Sequence, residues 1–305
     1  NNNGAGRDAS ESDGRSDGWE NVAHVVVPTY ALEHKIFVKD ALQRWKNAQL
    51  WTAPGQFNFP IRNVPNDFVW GRPNGVSGEL LRSDKDDSYT ESKSDGQERG
   101  TSRPRPSWTD EIQYETLTIG EFPLAGKPTT FYETAFYHVA SKTLIVTDAL
   151  AKISIDPPPL NSPANLLLIS KRSTDDELPD DTPQARQVGW EKTALLVSYF
   201  FPEHEELDPE RGSKGVVTWT DGWHDNFQAL SNRLLVPPVV RTLLYRQNPE
   251  GVRRWVDRVV TRWGGDMEYI VPAHFEAPIR ASGSDVEAAF RFLDDFEGVD
   301  PFPAK

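Results

Sequence analysis

The chain has 305 residues, enough for one large domain or two small ones, with 37% hydrophobic and 26% charged residues, as in a soluble globular protein. Its net charge of -13 argues against a general nucleic-acid-binding protein, because the sequence shows no basic stripe that would release phosphate counterions. The lack of cysteine excludes disulfides, thiolate zinc sites and cysteine nucleophiles, and no apolar run approaches the roughly 18 residues of a membrane span.

Three polar stretches interrupt the chain. Residues 1–19 and 83–107 contain too few apolar side chains to offset the entropy of ordering, so we expect a disordered tail and a disordered insertion. A third stretch, residues 171–186, is predicted to be a surface loop. We expect residues 20–305 to form a single domain around the insertion.

The first ordered block predicts a strand, a helix and a second strand. Residues 24–27 form the first apolar run, and residues 48–53 form another. Between them, residues 34–46 carry apolar side chains at helical spacing. A strand, a helix and a strand within some thirty residues indicate a βαβ unit with parallel strands.

Later elements are predicted from similar patterns. They are a hairpin at 134–150 around Ala140 and Ser141, a short strand at 215–220, a helix at 249–263, a strand at 268–272 and a helix at 284–296 capped by Ser284. The helix at 249–263 has the clearest pattern, because Asn248 is a candidate cap and Pro249 stands at its first position. We expect its apolar face, with Trp255 and Trp263, to lie in the core.

Potential metal ligands follow three of the predicted strands. They are Glu33 and His34 after residues 24–27, Asp148 after residues 143–146, and His274 after residues 268–271. In open α/β sheets, sites form beyond the carboxyl ends of strands. Two carboxylates and two imidazoles would suit one divalent ion such as Zn²⁺, Mn²⁺ or Fe²⁺. Each residue also has a structural interpretation, as a first-turn acid, a turn cap or a hydrogen-bonded histidine.

The other histidines are weaker candidates. His138 lies among aromatic residues of the hairpin and is predicted to be packed, or to support a ligand from behind. His24 is interpreted as structural, His204 as solvated, and His224 as part of a surface turn or a substrate-contact loop. The sequence contains no Gly-x-Ser-x-Gly elbow, Walker A loop or dinucleotide fingerprint, so we expect no nucleotide cofactor.

Four stretches carry a resemblance to a known family. They are VVVPTYALEHKIFV, YHVASKTLIVTDAL, NRLLVPPVVRTLLYRQNPEGVRRWVDRVV and YIVPAHFEAPI. Together they resemble the domain of unknown function 4336 family of plants, algae and bacteria, which is similar to a divergent branch of the metallo-β-lactamase fold. The resemblance covers about residues 21–65 and 130–295. It implies an α/β fold, a four-layer αββα sandwich that we expect to lack its N-terminal strands, and it is compatible with a plastid location.

The resemblance also implies a set of metal ligands. Metallo-β-lactamase-like hydrolases carry a His-x-His-x-Asp-His motif, and the matching positions here are Thr29, Ala31, Glu33 and His34. The later aspartate and the final histidine of these hydrolases match Asp148 and His274. The retained residues correspond to one of two usual metal sites. Thr29 and His138 are then candidates for supporting contacts, and His138 is too close in sequence to Asp148 to match the intermediate histidine.

Two functions remain open from the sequence. One is a mononuclear metal-dependent hydrolase of a small-molecule substrate, with a metal-bound water as nucleophile. The other is a non-catalytic binding or assembly module that keeps the fold after losing its metal centre. The four retained ligands favour the first function, and the two missing histidines favour the second.

Overall fold

The structure is a computed structural model, and it describes residues 21–31, 33–56, 70, 78–80, 106–124, 127–199 and 204–296. The predicted disordered tail at 1–19, and all but two residues of the insertion at 83–107, lie outside these ranges. The strands within them are β1 His24–Val27, β2 Gln49–Thr52, β3 Gly78–Glu79, β4 Ile112–Leu124, β5 Lys127–His138, β6 Thr143–Ile145, β7 Ala151–Lys152, β8 Glu205–Leu207, β9 Val217–Trp219, β10 Leu234–Leu235, β11 Tyr269–Val271 and β12 Ile279–Arg280. The α-helices that lie wholly within the same ranges are α1 Val38–Arg44, α2 Pro163–Ser170, α3 Pro183–Ser198, α4 Trp223–Leu230, α5 Pro249–Trp263 and α6 Gly283–Ala289.

A three-stranded parallel sheet forms the first part of the fold, in the order β1-β2-β3. Helix α1 packs on it through Val38 and Leu42, which join Val27 and Leu50 in one apolar cluster. The predicted βαβ unit is therefore confirmed. The helix predicted at 34–46 is shorter than expected, because it begins with a separate 3₁₀ turn at Glu33–Lys35 and α1 ends at Arg44.

A five-stranded mixed sheet carries the main core, in the order β12-β11-β6-β5-β4. β4 and β5 form a long antiparallel hairpin, and β6 pairs with β11 in parallel. Helix α5 covers this sheet, with Trp255 and Trp263 buried as predicted. Its cap is also confirmed, since the side chain of Asn248 accepts a hydrogen bond from the Gly251 amide at 3.0 Å.

A helical layer made of α2, α3 and α4 encloses a second apolar cluster, which contains Leu166, Trp190, Ala194, Leu195, Trp219, Phe227 and Leu230 among its buried members. Helices α2 and α3 are in direct backbone contact, because a β-carbon on Gly189 would lie 1.9 Å from the Leu166 carbonyl oxygen. Lys192 is buried on α3, and its ammonium donates to the carbonyl oxygens of Ser170 at 3.1 Å and Lys171 at 2.6 Å.

Three predictions for this region and the C-terminal helix need correction, because the one for His204 is wrong and the other two hold only in part. The stretch 171–186 is not all loop, because α3 begins at Pro183 and Thr182 caps it by accepting from the Ala185 amide at 3.1 Å. His204 is buried rather than solvated, and its ring stacks on Trp219 at 5.2 Å. The last helix is capped by Ser282, two residues before the predicted cap, and ends as α6 before a 3₁₀ helix at Arg291–Phe296.

The predicted α/β class is confirmed by the parallel and mixed sheets with their packed helices. Among the helices of the described ranges, none has the length and hydropathy needed to cross a bilayer.

Candidate metal site

Three loops that follow parallel strands bring three potential ligands together. Asp148 lies three residues beyond β6, and His274 lies three residues beyond β11. Since β6 and β11 are parallel neighbours, their carboxyl ends place the two side chains side by side. His34 follows β1 of the other sheet and sits in the 3₁₀ turn Glu33–Lys35. The site is therefore built at the carboxyl ends of strands from the three-stranded and the five-stranded sheet.

The three side chains converge through their polar atoms. The Nε2 atom of His34 lies 3.0 and 3.2 Å from the two carboxylate oxygens of Asp148. The Nε2 atom of His274 lies 3.2 Å from Oδ1 of the same carboxylate. One ligand atom from each residue falls within 4.8 Å of the others. The side chains of His34 and Asp148 are 13% and 17% exposed and that of His274 is 39% exposed, so the group is reached from the His274 side.

Electrostatics favours a negative carboxylate between the two imidazoles. Burial raises the pKa of Asp148, but hydrogen bonds and charge from His274 and His34 outweigh it and hold that pKa well below its usual range. Burial also lowers the pKa of His34, yet the bond to Asp148, with the charges of Asp148, Glu33 and Glu133, raises it above its usual value. Asp148 is therefore ionised and available as a negatively charged ligand.

A buried glutamate supports the Asp148 loop from inside the protein. Oε1 of Glu133, on β5, accepts from the hydroxyl of Thr147 at 2.7 Å and from the amides of Asp148 and Ala149 at 3.1 Å each. Its other oxygen accepts from the hydroxyl of Tyr245 at 3.2 Å. Burial and the charge of Asp148 raise the pKa of Glu133 to about 7, against the effect of these donors. The sequence does not single out Glu133, because its only signal is a carboxylate within an apolar and aromatic strand.

The group fits the coordination chemistry of a borderline divalent ion. Tetrahedral zinc with bonds of about 2.0–2.1 Å separates its ligand atoms by roughly 3.3 Å, and both histidine nitrogens lie close to that distance from Asp148. Two imidazoles and one carboxylate also form the three-residue set that leaves further coordination positions open for iron or zinc. His34, Asp148 and His274 are therefore suited to hold one metal ion.

The other predicted site residues lie outside this group. Glu33 is exposed. Successive residues of a 3₁₀ turn point about 120° apart, so the side chains of Glu33 and His34 face different directions. Glu33 therefore acts on His34 through its charge. Thr29 is buried and shapes its own loop, with its hydroxyl accepting from the Ala31 amide at 3.4 Å. His138 contacts Ser141 at 2.7 Å and Glu111 at 3.5 Å, at the end of β5.

His224 lies in a helix rather than in the predicted turn or loop. It is in the first turn of α4, where its Nδ1 atom is 2.7 Å from a carboxylate oxygen of the buried Glu191.

The fold and the site define an α/β protein with a His-Asp-His group at the ends of parallel strands. Residues 14–292 match a protein family that is described as a domain of unknown function (DUF4336), and the chain belongs to that family. No curated protein and no solved structure gives a significant match to the chain.

Proposed function

We propose that this protein is a mononuclear metal-dependent hydrolase built on a metallo-β-lactamase-like sandwich. The metal would be held by His34, Asp148 and His274, and the convergence of their ligand atoms within 4.8 Å supports this most strongly. The packing of α1 on one sheet and α5 on the other is compatible with the sandwich. Glu33, which was predicted as a fourth ligand, would have to turn its exposed side chain toward the group.

The chemistry follows from the charges and exposure of the group. When bound, a divalent ion supplies a water of lowered pKa and polarises the bond to be cleaved. Asp148 provides a negative charge toward the ion, and Glu133 fixes the loop that carries Asp148. His274 is the most exposed of the three, so its side of the group is open to a small-molecule substrate.

Metal analysis of the purified protein tests the first half of this proposal. The parent chain, expressed in metal-replete medium, should contain about one equivalent of zinc, manganese or iron, and His274→Ala should lose it. His138→Ala is the matched control, because it also removes a partly exposed histidine but lies outside the group. A metal-free parent, or a His274→Ala variant that keeps its metal, would refute the metal site.

Hydrolysis tests the second half. The metal-loaded parent is assayed with ester, thioester, phosphoester and amide substrates, before and after chelation. We expect cleavage that is lost in His274→Ala and retained in His138→Ala. Turnover that survives both chelation and the His274→Ala change would contradict the proposed mechanism.

The alternative is a non-catalytic binding or assembly module on the same fold. It is favoured by Thr29 and Ala31, which stand where metallo-β-lactamase-like hydrolases carry two histidines. The hydrogen bonds that join His34, Asp148 and His274 would then be purely structural. A metal-free parent that hydrolyses none of these substrate classes would support this alternative.

A further inference from the structure

We infer that Phe275 is a positioning residue for His274, and that it fixes the loop that carries His274 to the helical layer of α2, α3 and α4. Phe275 follows His274 directly in the loop between β11 and β12. The inference rests on the proposed function for its metal-binding consequence, while its structural part concerns the loop alone.

The backbone at Phe275 is the first observation. Its φ of +67° lies in the left-handed region, which bulky side chains rarely adopt. Such a conformation persists where the surrounding structure over-determines it, and it is commonly found at functional sites. A return of Phe275 to negative φ would reorient the peptide that joins it to His274. The direction of the imidazole therefore depends on what holds Phe275 in place.

The packing of the Phe275 ring is the second observation. The ring lies against the second apolar cluster, with its centroid 6.1 Å from that of Trp190 in an edge-to-face arrangement. Trp190 is itself fixed on α3, where it is buried and donates from Nε1 to the Ser154 carbonyl at 2.9 Å. The ring of Phe275 thus connects the loop that carries a candidate ligand with the rigid helical layer.

Backbone hydrogen bonds, rather than side-chain packing, fix the two ends of the loop. On one side of His274, the Ala273 amide donates to the Thr147 carbonyl at 3.3 Å. On the other side, the Glu276 amide donates to the Lys152 carbonyl at 3.0 Å, beside an ion pair between the two side chains at 2.9 Å. The two backbone hydrogen bonds set the path of the loop, and the Phe275 ring sets the conformation of the peptide next to the imidazole.

The test compares Phe275→Ala with Phe275→Leu and Glu276→Gln. Zinc affinity is measured by competition with a chromophoric chelator, and the exchange of loop amides by hydrogen–deuterium exchange of the metal-free chains. Phe275→Ala should bind zinc at least 10-fold more weakly, as is usual when support behind a ligand is removed, and the amides of residues 273–277 should exchange faster. Phe275→Leu, which keeps an apolar anchor, should recover most of both properties. Glu276→Gln removes only a partly exposed ion pair of the same loop and should change neither.

Leu230→Ala controls for general destabilisation, since Leu230 is a buried member of the same apolar cluster. It should lower the thermal stability but leave the zinc affinity near that of the parent. The inference is overturned if Leu230→Ala weakens zinc binding as much as Phe275→Ala does, or if the loop of Phe275→Ala exchanges at the parent's rate. A parent that binds neither zinc, manganese nor iron refutes the proposed function, and the exchange measurement then still decides the role of Phe275.

Discussion

Replacing Glu133 should separate the hydrogen-bonding role of its side chain from the role of its charge. Glu133→Ala removes the acceptor for four donors, which belong to Thr147, Asp148, Ala149 and Tyr245. A typical intramolecular hydrogen bond contributes about 1 kcal/mol, and a buried donor left without a partner costs about 1–3 kcal/mol. Because Glu133 is only 2% exposed, water replaces these bonds poorly, and we expect the four unpaired donors to cost about 3–5 kcal/mol in total. Glu133→Gln keeps an acceptor toward the loop and should lose about 1 kcal/mol.

Urea unfolding of the parent, Glu133→Ala and Glu133→Gln measures the differences in unfolding free energy. A zinc competition assay on the same samples shows whether the Asp148 loop still holds its ligand in place. The alanine variant should lose both stability and zinc affinity, while the glutamine variant keeps most of each. A loss below about 1 kcal/mol in Glu133→Ala would refute the reasoning, since a small loss means that the four bonds do not organise the loop. Equal losses in both variants would show that the charge, rather than the acceptor, is what matters.

Two further predictions concern the helical layer. Burial lowers the pKa of Lys192 to about 8, so between about pH 8 and 10.5 the folded chain has released a proton that the unfolded chain still holds. The unfolding free energy of the parent should therefore rise over this range relative to that of Lys192→Met. A difference in unfolding free energy that does not change with pH would contradict the lowered pKa of Lys192. Gly189→Ala should lower the stability by about 2 kcal/mol despite its better helix propensity, because the new methyl group meets the Leu166 backbone and forces α2 and α3 apart. An unchanged melting temperature would contradict this close approach.

The elements with simple periodicity could be predicted from the sequence. Strand β1 is a short apolar run, and α5 combines a cap at Asn248 with one apolar face, so local residues alone decide both. Helix α3 was missed because its buried positions include Gly189, Glu191 and Lys192. The residues that contact these buried positions lie in other parts of the chain, and a local sequence pattern cannot show them.

The candidate site could be predicted from the sequence only as far as the sequence shows where strands end. His34, Asp148 and His274 were expected together because each follows a strand, and the structure brings the three together. Glu33 was grouped with them because it is adjacent in sequence, but the 3₁₀ turn sends its side chain elsewhere. Glu133 became recognisable only once the fold had placed the loop after β6 on top of its carboxylate.

The origin of the ligands in two different sheets has a consequence for folding. His34 and Asp148 are separated by 114 residues, and His274 lies more than a hundred residues further along the chain. Contacts of such sequence separation form only after long loops have closed, so the group should assemble late, when both sheets have docked. A metal bound there would join the two sheets and stabilise the folded chain according to its concentration and affinity. Metal binding at these three side chains would then indicate that the whole domain has folded.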